Sequence, residues 1–138
     1  MIFVDTSGWV ALVDQRDGNH PAAVEFRTEL AHGRHGQLVT TDYVLDESAS
    51  YIKRRAGSDA LRAFRLAIEA SESVRIVWTV PESFWQAWDR LARSRDKDWS
   101  FTDCLSFHTM DSLAIVKAFA FDSDFEQAGF TLLPKAQR

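Results

Sequence analysis

Apolar positions along the chain change period in a recurring order. Ile2 to Val4 is a short apolar run, followed at once by Asp5-Thr6-Ser7, whose side chains suit a helix cap. The pattern predicts a strand, then a helix from Gly8 to Val13 that ends near the turn signal Asp17-Gly18-Asn19. His20-Pro21 opens a second helix to about Leu30, and Gly33 and Gly36 close it. Leu38-Val39 reads as a strand and Thr40-Thr41-Asp42 as the next cap, with Glu47 inside the helix that follows. Gly57-Ser58-Asp59 breaks that helix and starts another, from Ala60 to about Ser71. Val74 to Val77 is β-branched and strand-like, and Pro81 begins a helix in which Phe84, Trp85, Trp88, Leu91 and Ala92 recur at helical spacing. After the charged loop Arg93 to Trp99, a further helix starts at SFTDCLSF. Ile115 to Phe121 reads as a strand, Phe125 to Ala128 as a short helix, and Phe130 to Leu133 as a last strand. Strands alternating with helices predict an α/β fold with a central, mostly parallel sheet flanked by helices on both faces. The five tryptophans are expected in the core.

Composition narrows the class. Hydrophobic residues make up 46% of 138 and charged residues 26%, which excludes a disordered chain and predicts one packed domain over residues 1–138. A lone cysteine, Cys104, excludes an internal disulfide framework and a Cys-rich zinc site, and it fits a reducing compartment, the cytoplasm by default. The most apolar run, LAIVKAFAF, is short and contains Lys117, so no membrane span is expected. The net charge of -4 disfavours blanket attraction to nucleic acid but leaves room for a basic face beside an acidic pocket.

In open parallel sheets, ligands gather beyond the carboxyl ends of the strands. Asp5 directly follows the first strand and Asp122 the penultimate one, so both emerge on one edge. Glu47 lies about one turn into the helix after the second strand, and at ~100° per residue it borders the face of Val44 while Asp46 turns away. Asp103 lies in the first turn of its helix, on the side of Phe107 and Met110. Singly, each has an ordinary use: Asp103 complements a helix N-terminus with Thr102, Asp5 caps a helix, Glu47 is a surface residue, and Asp122 or Asp124 forms a turn. Convergence changes the reading, because four carboxylates at one edge repel one another unless a divalent ion or a shifted protonation state relieves the charge. Oxygen ligands without Cys or His in the pattern suit Mg²⁺ or Mn²⁺ rather than zinc.

The blocks FVDTSGWVAL, TTDYVLDES, SFTDCLSF and FAFDSDFEQAGFTLLP, in this order and spacing, resemble the PIN-domain ribonucleases, and more closely the VapC-type toxins of toxin-antitoxin modules. The resemblance implies a single PIN-like domain and Mg²⁺-dependent RNA hydrolysis. It assigns Asp5, Glu47, Asp103 and Asp122 as catalytic, metal-holding acids, with Asp124 as an auxiliary ligand. Thr6 and Thr102 match hydroxyl positions beside the acids. It also implies a protein antitoxin as inhibitor and a homodimer. No motif matches between Gly57 and Trp99, where substrate choice is least constrained.

Phosphate contacts need cations, and Lys53, Arg54 and Arg55 with Arg62 and Arg65, then Arg90, Arg93, Arg95 and Lys97, are available. Such runs are more often solvated helix faces. Single-stranded or looped RNA fits a catalytic pocket better than a regular duplex. His20, His32, His35 and His108 follow no ligand spacing, and Cys104 has no base placed for it. Trp9, Val10, Leu12 and Val13 exceed what one face of a short helix needs, which suggests a dimer contact or an antitoxin groove beside plain core packing. Two other classes compete. A receiver-type phosphoacceptor domain needs paired acids after the first strand, where this chain has Asp5-Thr6-Ser7. A silent PIN-like interaction module does not need four complete acids.

Overall fold

The computed structural model describes residues 1–136. In chain order the elements are β1 (Ile2–Val4), α1 (Thr6–Val13), α2 (His20–Ala31), β2 (Leu38–Thr41), α3 (Asp42–Ala56), α4 (Ser58–Ala70), β3 (Val74–Val77), α5 (Pro81–Arg93), α6 (Phe101–Ser112), β4 (Lys117–Phe119), α7 (Asp124–Gln127) and β5 (Thr131–Leu133). The strands pair in the order β3-β2-β1-β4-β5. Every pairing is parallel, with Phe3 opposite Val39 on one side and Ala118 on the other. The sheet is therefore wholly parallel, where the sequence indicated only a parallel majority, and helices cover both faces. That cover explains why β1 and β2 are buried at every position instead of alternating.

Two expected boundaries move. Helix α1 begins at Thr6 rather than Gly8, because Asp5 rather than Ser7 is its cap. Strand β4 is Lys117–Phe119, shorter than the apolar run Ile115 to Phe121, since Ile115 still closes the turn after α6 by donating its N–H to the Met110 carbonyl. A close approach fixes α1 against β4. A Cβ on Gly8 would lie 2.6 Å from the Phe119 carbonyl oxygen, so only glycine lets the helix start so near the strand.

The core gathers Phe3, Trp9, Val39, Phe107, Phe119 and Phe125 around the sheet. A second cluster of Ala87, Cys104 and Leu105 joins α5 to α6. The tryptophans depart from expectation. Trp9 is buried, but Trp78, Trp85 and Trp88 are 66%, 58% and 52% exposed. The reason is the width of the apolar stripe on α5. Ala87 and Leu91 meet the second cluster and the Phe84 ring meets Phe101, so the α5–α6 contact is already filled and Trp85 and Trp88 are left outside it.

Candidate active site

Asp5 ends β1 and caps α1, at the carboxyl edge of the sheet. It is 5% exposed, and its Oδ2 accepts from the Ser7 N–H at 3.2 Å and the Ser7 hydroxyl at 2.7 Å. The same Ser7 oxygen accepts from the Phe121 N–H at 3.0 Å, and the Asp5 N–H donates to the Phe119 carbonyl at 3.1 Å. Asp5 is thus fastened to the ends of both central strands. Burial pushes its carboxyl up to about 7, against the lowering effect of the Ser7 bonds, and Asp103 raises it further.

Asp103 sits in the first turn of α6 in a reciprocal cap. Its N–H donates to the Ser100 hydroxyl at 3.0 Å, and its Oδ2 accepts from the Ser100 N–H at 3.0 Å. Burial raises its pKa against the lowering effect of the Ser100 bonds, and Asp122 adds to the rise. Asp122 is exposed and its Oδ1 accepts from the Asp124 N–H at 3.0 Å. Asp124 is raised to about 6, first by desolvation, then by the charges of Asp122 and Asp103. A field therefore runs through Asp5, Asp103, Asp122 and Asp124, and among the described residues none of the four is ion-paired to a basic side chain.

The remaining expected residues divide. Glu47 lies on the exposed side of α3, one residue before buried Ser48, rather than facing inward; Val44, Ser48 and Ile52 form the buried stripe. Thr6 does not hold a carboxylate: its hydroxyl reaches the Val44 carbonyl at 3.4 Å, tying α1 to α3. Thr102 gives its carbonyl to Ser106. Serines perform the task expected of these threonines. Ser100 was readable as the first residue of S-x-x-D, whereas the Ser7 bond depends on where β4 ends. Asp42 is a further fastening, accepting from the Thr79 N–H at 3.1 Å and hydroxyl at 2.6 Å, which pins the loop after β3 to the start of α3.

A pattern for the PIN domain matches residues 2–131. The chain belongs to the PIN-domain family. The chain is 38% identical over 130 residues to the 23S rRNA-specific endonuclease VapC20 of Mycobacterium tuberculosis, covering 94% of this chain and 95% of that protein, in the CDC 1551 and H37Rv strains alike. The crystal structure of that VapC20, titled a sarcin-ricin loop cleaving toxin, superposes with a TM-score of 0.84 at 37% identity, over 95% of this chain and 97% of its own.

In this PIN domain, oxygen-only donors pressed together against their charge suit a hard divalent cation. Among the described residues, no three Asp, Glu, His or Cys side chains already stand as a metal-holding group. The donor chemistry fits. Ligation would draw on Asp5, Asp103, Asp122 and Asp124, with Glu47 exposed on α3.

The basic groups separate by position. Lys53, Arg54 and Arg55 end α3, roughly 20 Å along the helix from Asp42 at ~1.5 Å per residue. Arg55 there pairs with buried Asp14 at 3.5 Å, Arg54 and Arg55 lie over the Tyr51 ring, and Arg62 and Arg65 pair with Asp59 and Glu69. Arg90 pairs with Asp111 at 3.0 Å. Arg93, Arg95 and Lys97 are exposed and take part in no ion pair among the described residues. His35 lies beside Lys117, whose Nζ is 2.8 Å from Nδ1, while Nε2 lies 3.0 Å from Glu29. Lys117 opens β4, so this cluster sits at the opposite end of the sheet from the acids. Cys104 is buried and burial raises its thiol pKa, the reverse of an activated nucleophile.

Proposed function

We propose that this PIN domain is a metal-dependent endoribonuclease, the toxin of a toxin-antitoxin pair, using Mg²⁺ with Mn²⁺ able to substitute. One observation carries the reading: Asp5, Asp103, Asp122 and Asp124 are linked through space at the carboxyl edge of a parallel sheet, with no ion pair to a basic side chain among the described residues. The similarity to a 23S rRNA-specific endonuclease supports RNA as substrate and a structured loop as the place of cutting. A receiver domain would not present this set.

A divalent cation, when bound, supplies neutralisation of the phosphodiester and Lewis acidity toward the attacking water. The residues do the rest. Ser7 holds Asp5 in one orientation. Ser100 holds Asp103 through the helix cap. Asp124 keeps its proton until about pH 6 and buried Asp5 until about pH 7, and the anionic set is complete only when both have left. Glu47 is proposed as a contributor from the exposed side of α3.

Cleavage of an RNA mixture with Mg²⁺, and its loss with chelator, tests the reading. Asp5→Asn and Asp103→Asn are expected to lower the rate about 100-fold or more while melting cooperatively, with Glu47→Gln milder; the scale is that of disrupting a metal site. Parental rates in both Asn variants overturn it, and labelling by acetyl phosphate would favour the receiver alternative.

The same proposal places an antitoxin segment in the apolar groove of about 570 Å³ lined by Trp9, Leu12, Val13, Phe64 and Ile68. It includes a homodimer and a cytoplasmic setting. No helix among the described residues is long and apolar enough to cross a membrane.

A further inference from the structure

The basic run Lys53-Arg54-Arg55 closes α3 and has no part in the acid edge. In a last helical turn such residues ordinarily meet the carbonyls that the helix leaves unsatisfied. Here other groups do much of that. The Gly57 N–H donates to the Ile52 and Lys53 carbonyls at 3.2 and 3.0 Å, and the Arg16 guanidinium donates to the Arg55 carbonyl. Arg55 itself is committed to buried Asp14. Lys53 and Arg54 are exposed and, among the described residues, take part in no ion pair. Arg54 is nevertheless held in place, its guanidinium 5.6 Å from the centre of the Tyr51 ring.

Both cations line a shallow hollow of about 550 Å³ whose other walls are Ala49, Ser50 and Leu61. No carboxylate lines it, and Asp59 on the facing helix α4 is paired with Arg62. Two cations and a hydroxyl without an acid fit an anion. The position on α3 says which one. Arg54 lies seven residues after Glu47, two turns and about 10 Å along the same exposed face, with Ser50 between them. A strand of RNA whose reacting phosphate meets the metal-loaded acids can follow this face to the hollow. An acidic peptide laid along it would meet Asp46 and Glu47 with nothing to offset their charge. We propose that Ser50, Lys53 and Arg54 form a phosphate site that grips the backbone of the RNA substrate a short way along the strand from the cut. The grip is blind to sequence and supplies attraction that the acid edge withholds. This inference rests on the RNA-cleavage reading above and adds where the substrate is held.

The experiment measures binding of a fluorescein-labelled single-stranded RNA in EDTA, so that it is not cut, over a range of salt concentrations. It compares the parent with K53Q/R54Q, with the charge-retaining K53R/R54K, and with R34Q/R75Q, which removes two exposed charges elsewhere. Sedimentation velocity is run on each. K53Q/R54Q is expected to weaken binding about 10-fold and to flatten the slope of log affinity against log salt by about 1.4, two contacts at ~0.7 each on a single strand. K53R/R54K should retain most of the affinity, and R34Q/R75Q should keep the parental slope. With Mg²⁺, the KM for cleavage by K53Q/R54Q should rise by the same factor while kcat holds, the mark of a grip equal in ground and transition states. An unchanged slope in K53Q/R54Q, an equal fall in R34Q/R75Q, or a lower kcat at the parental KM overturns the proposal. So does a change of oligomeric state in K53Q/R54Q, which would make this face a contact between copies. Labelled poly-glutamate that needs Lys53 and Arg54 while RNA does not would also overturn it, in favour of an acidic protein partner. A parent that binds and cuts RNA with no regard to these residues removes this site alone; a parent that neither binds nor cuts RNA removes the RNA-cleavage reading and this site with it.

Discussion

At the scale of single residues, the chemistry depends on carboxyls kept where their charge is unwelcome. Asp5 is the extreme case, with its pKa carried from 3.8 to about 7 by burial. The sign for stability follows. Between about pH 4 and 7 the folded chain keeps a proton that the unfolded chain has already released, so metal-free stability should fall as pH rises through that window. The raised pKa values of Asp103 and Asp124 act in the same direction. Urea midpoints taken without metal at pH 5 and 7.5 should show the decline, and Asp5→Asn should flatten it by an amount on the order of a few kcal/mol. An undiminished slope in that variant would place the titration elsewhere. The acids themselves were legible as letters after strand ends. Their partners were less so: which hydroxyl holds Asp5 depends on β4 delivering the Phe121 N–H to Ser7, a contact across 114 positions of chain.

At the scale of elements, the strand-helix alternation was readable because parallel strands, buried on both faces, give short apolar runs between amphipathic helices. Helix α5 shows where this reading fails. Its apolar positions recur with helical period, but periodicity gives the width of a stripe and not the size of what covers it. The inward orientation expected of Glu47 differs for a related reason. Angular counting placed it at the border of the Val44 face, and on a border a shift of one position decides between inside and outside; the structure places it outside. Helix α1 makes a sharper demand. Gly8→Ala should cost about 1–3 kcal/mol, the usual range for overpacking, because the added methyl would meet the Phe119 carbonyl oxygen. Thermal denaturation checks this, and a neutral result would mean that α1 can retreat from β4 without strain.

At the scale of the whole molecule, the fold delivers acids from β1, α6 and the loop after β4 to one edge, while its exposed indoles lie on and just before α5. Metal affinity should therefore be coupled to proton release. Calorimetry with Mg²⁺ in buffers of different ionisation heat should show protons leaving on binding at pH 5.5 and few at pH 8, with weaker affinity at the lower pH. Binding without proton release at pH 5.5 would mean that the ion bypasses Asp5 and Asp124. One detail of the hydrogen bonding bears on which ion is accepted. Oδ2 of Asp5 is taken by Ser7, Oδ2 of Asp103 by Ser100, and Oδ1 of Asp122 by the Asp124 amide. Asp5 Oδ2 accepts two bonds and has no lone pair left, whereas Asp103 and Asp122 each keep one wholly free oxygen; one-handed grips therefore come most readily, and they suit a small octahedral ion that retains part of its hydration shell. Calcium, whose larger sphere is commonly filled by two-oxygen clasps, would find too few hands.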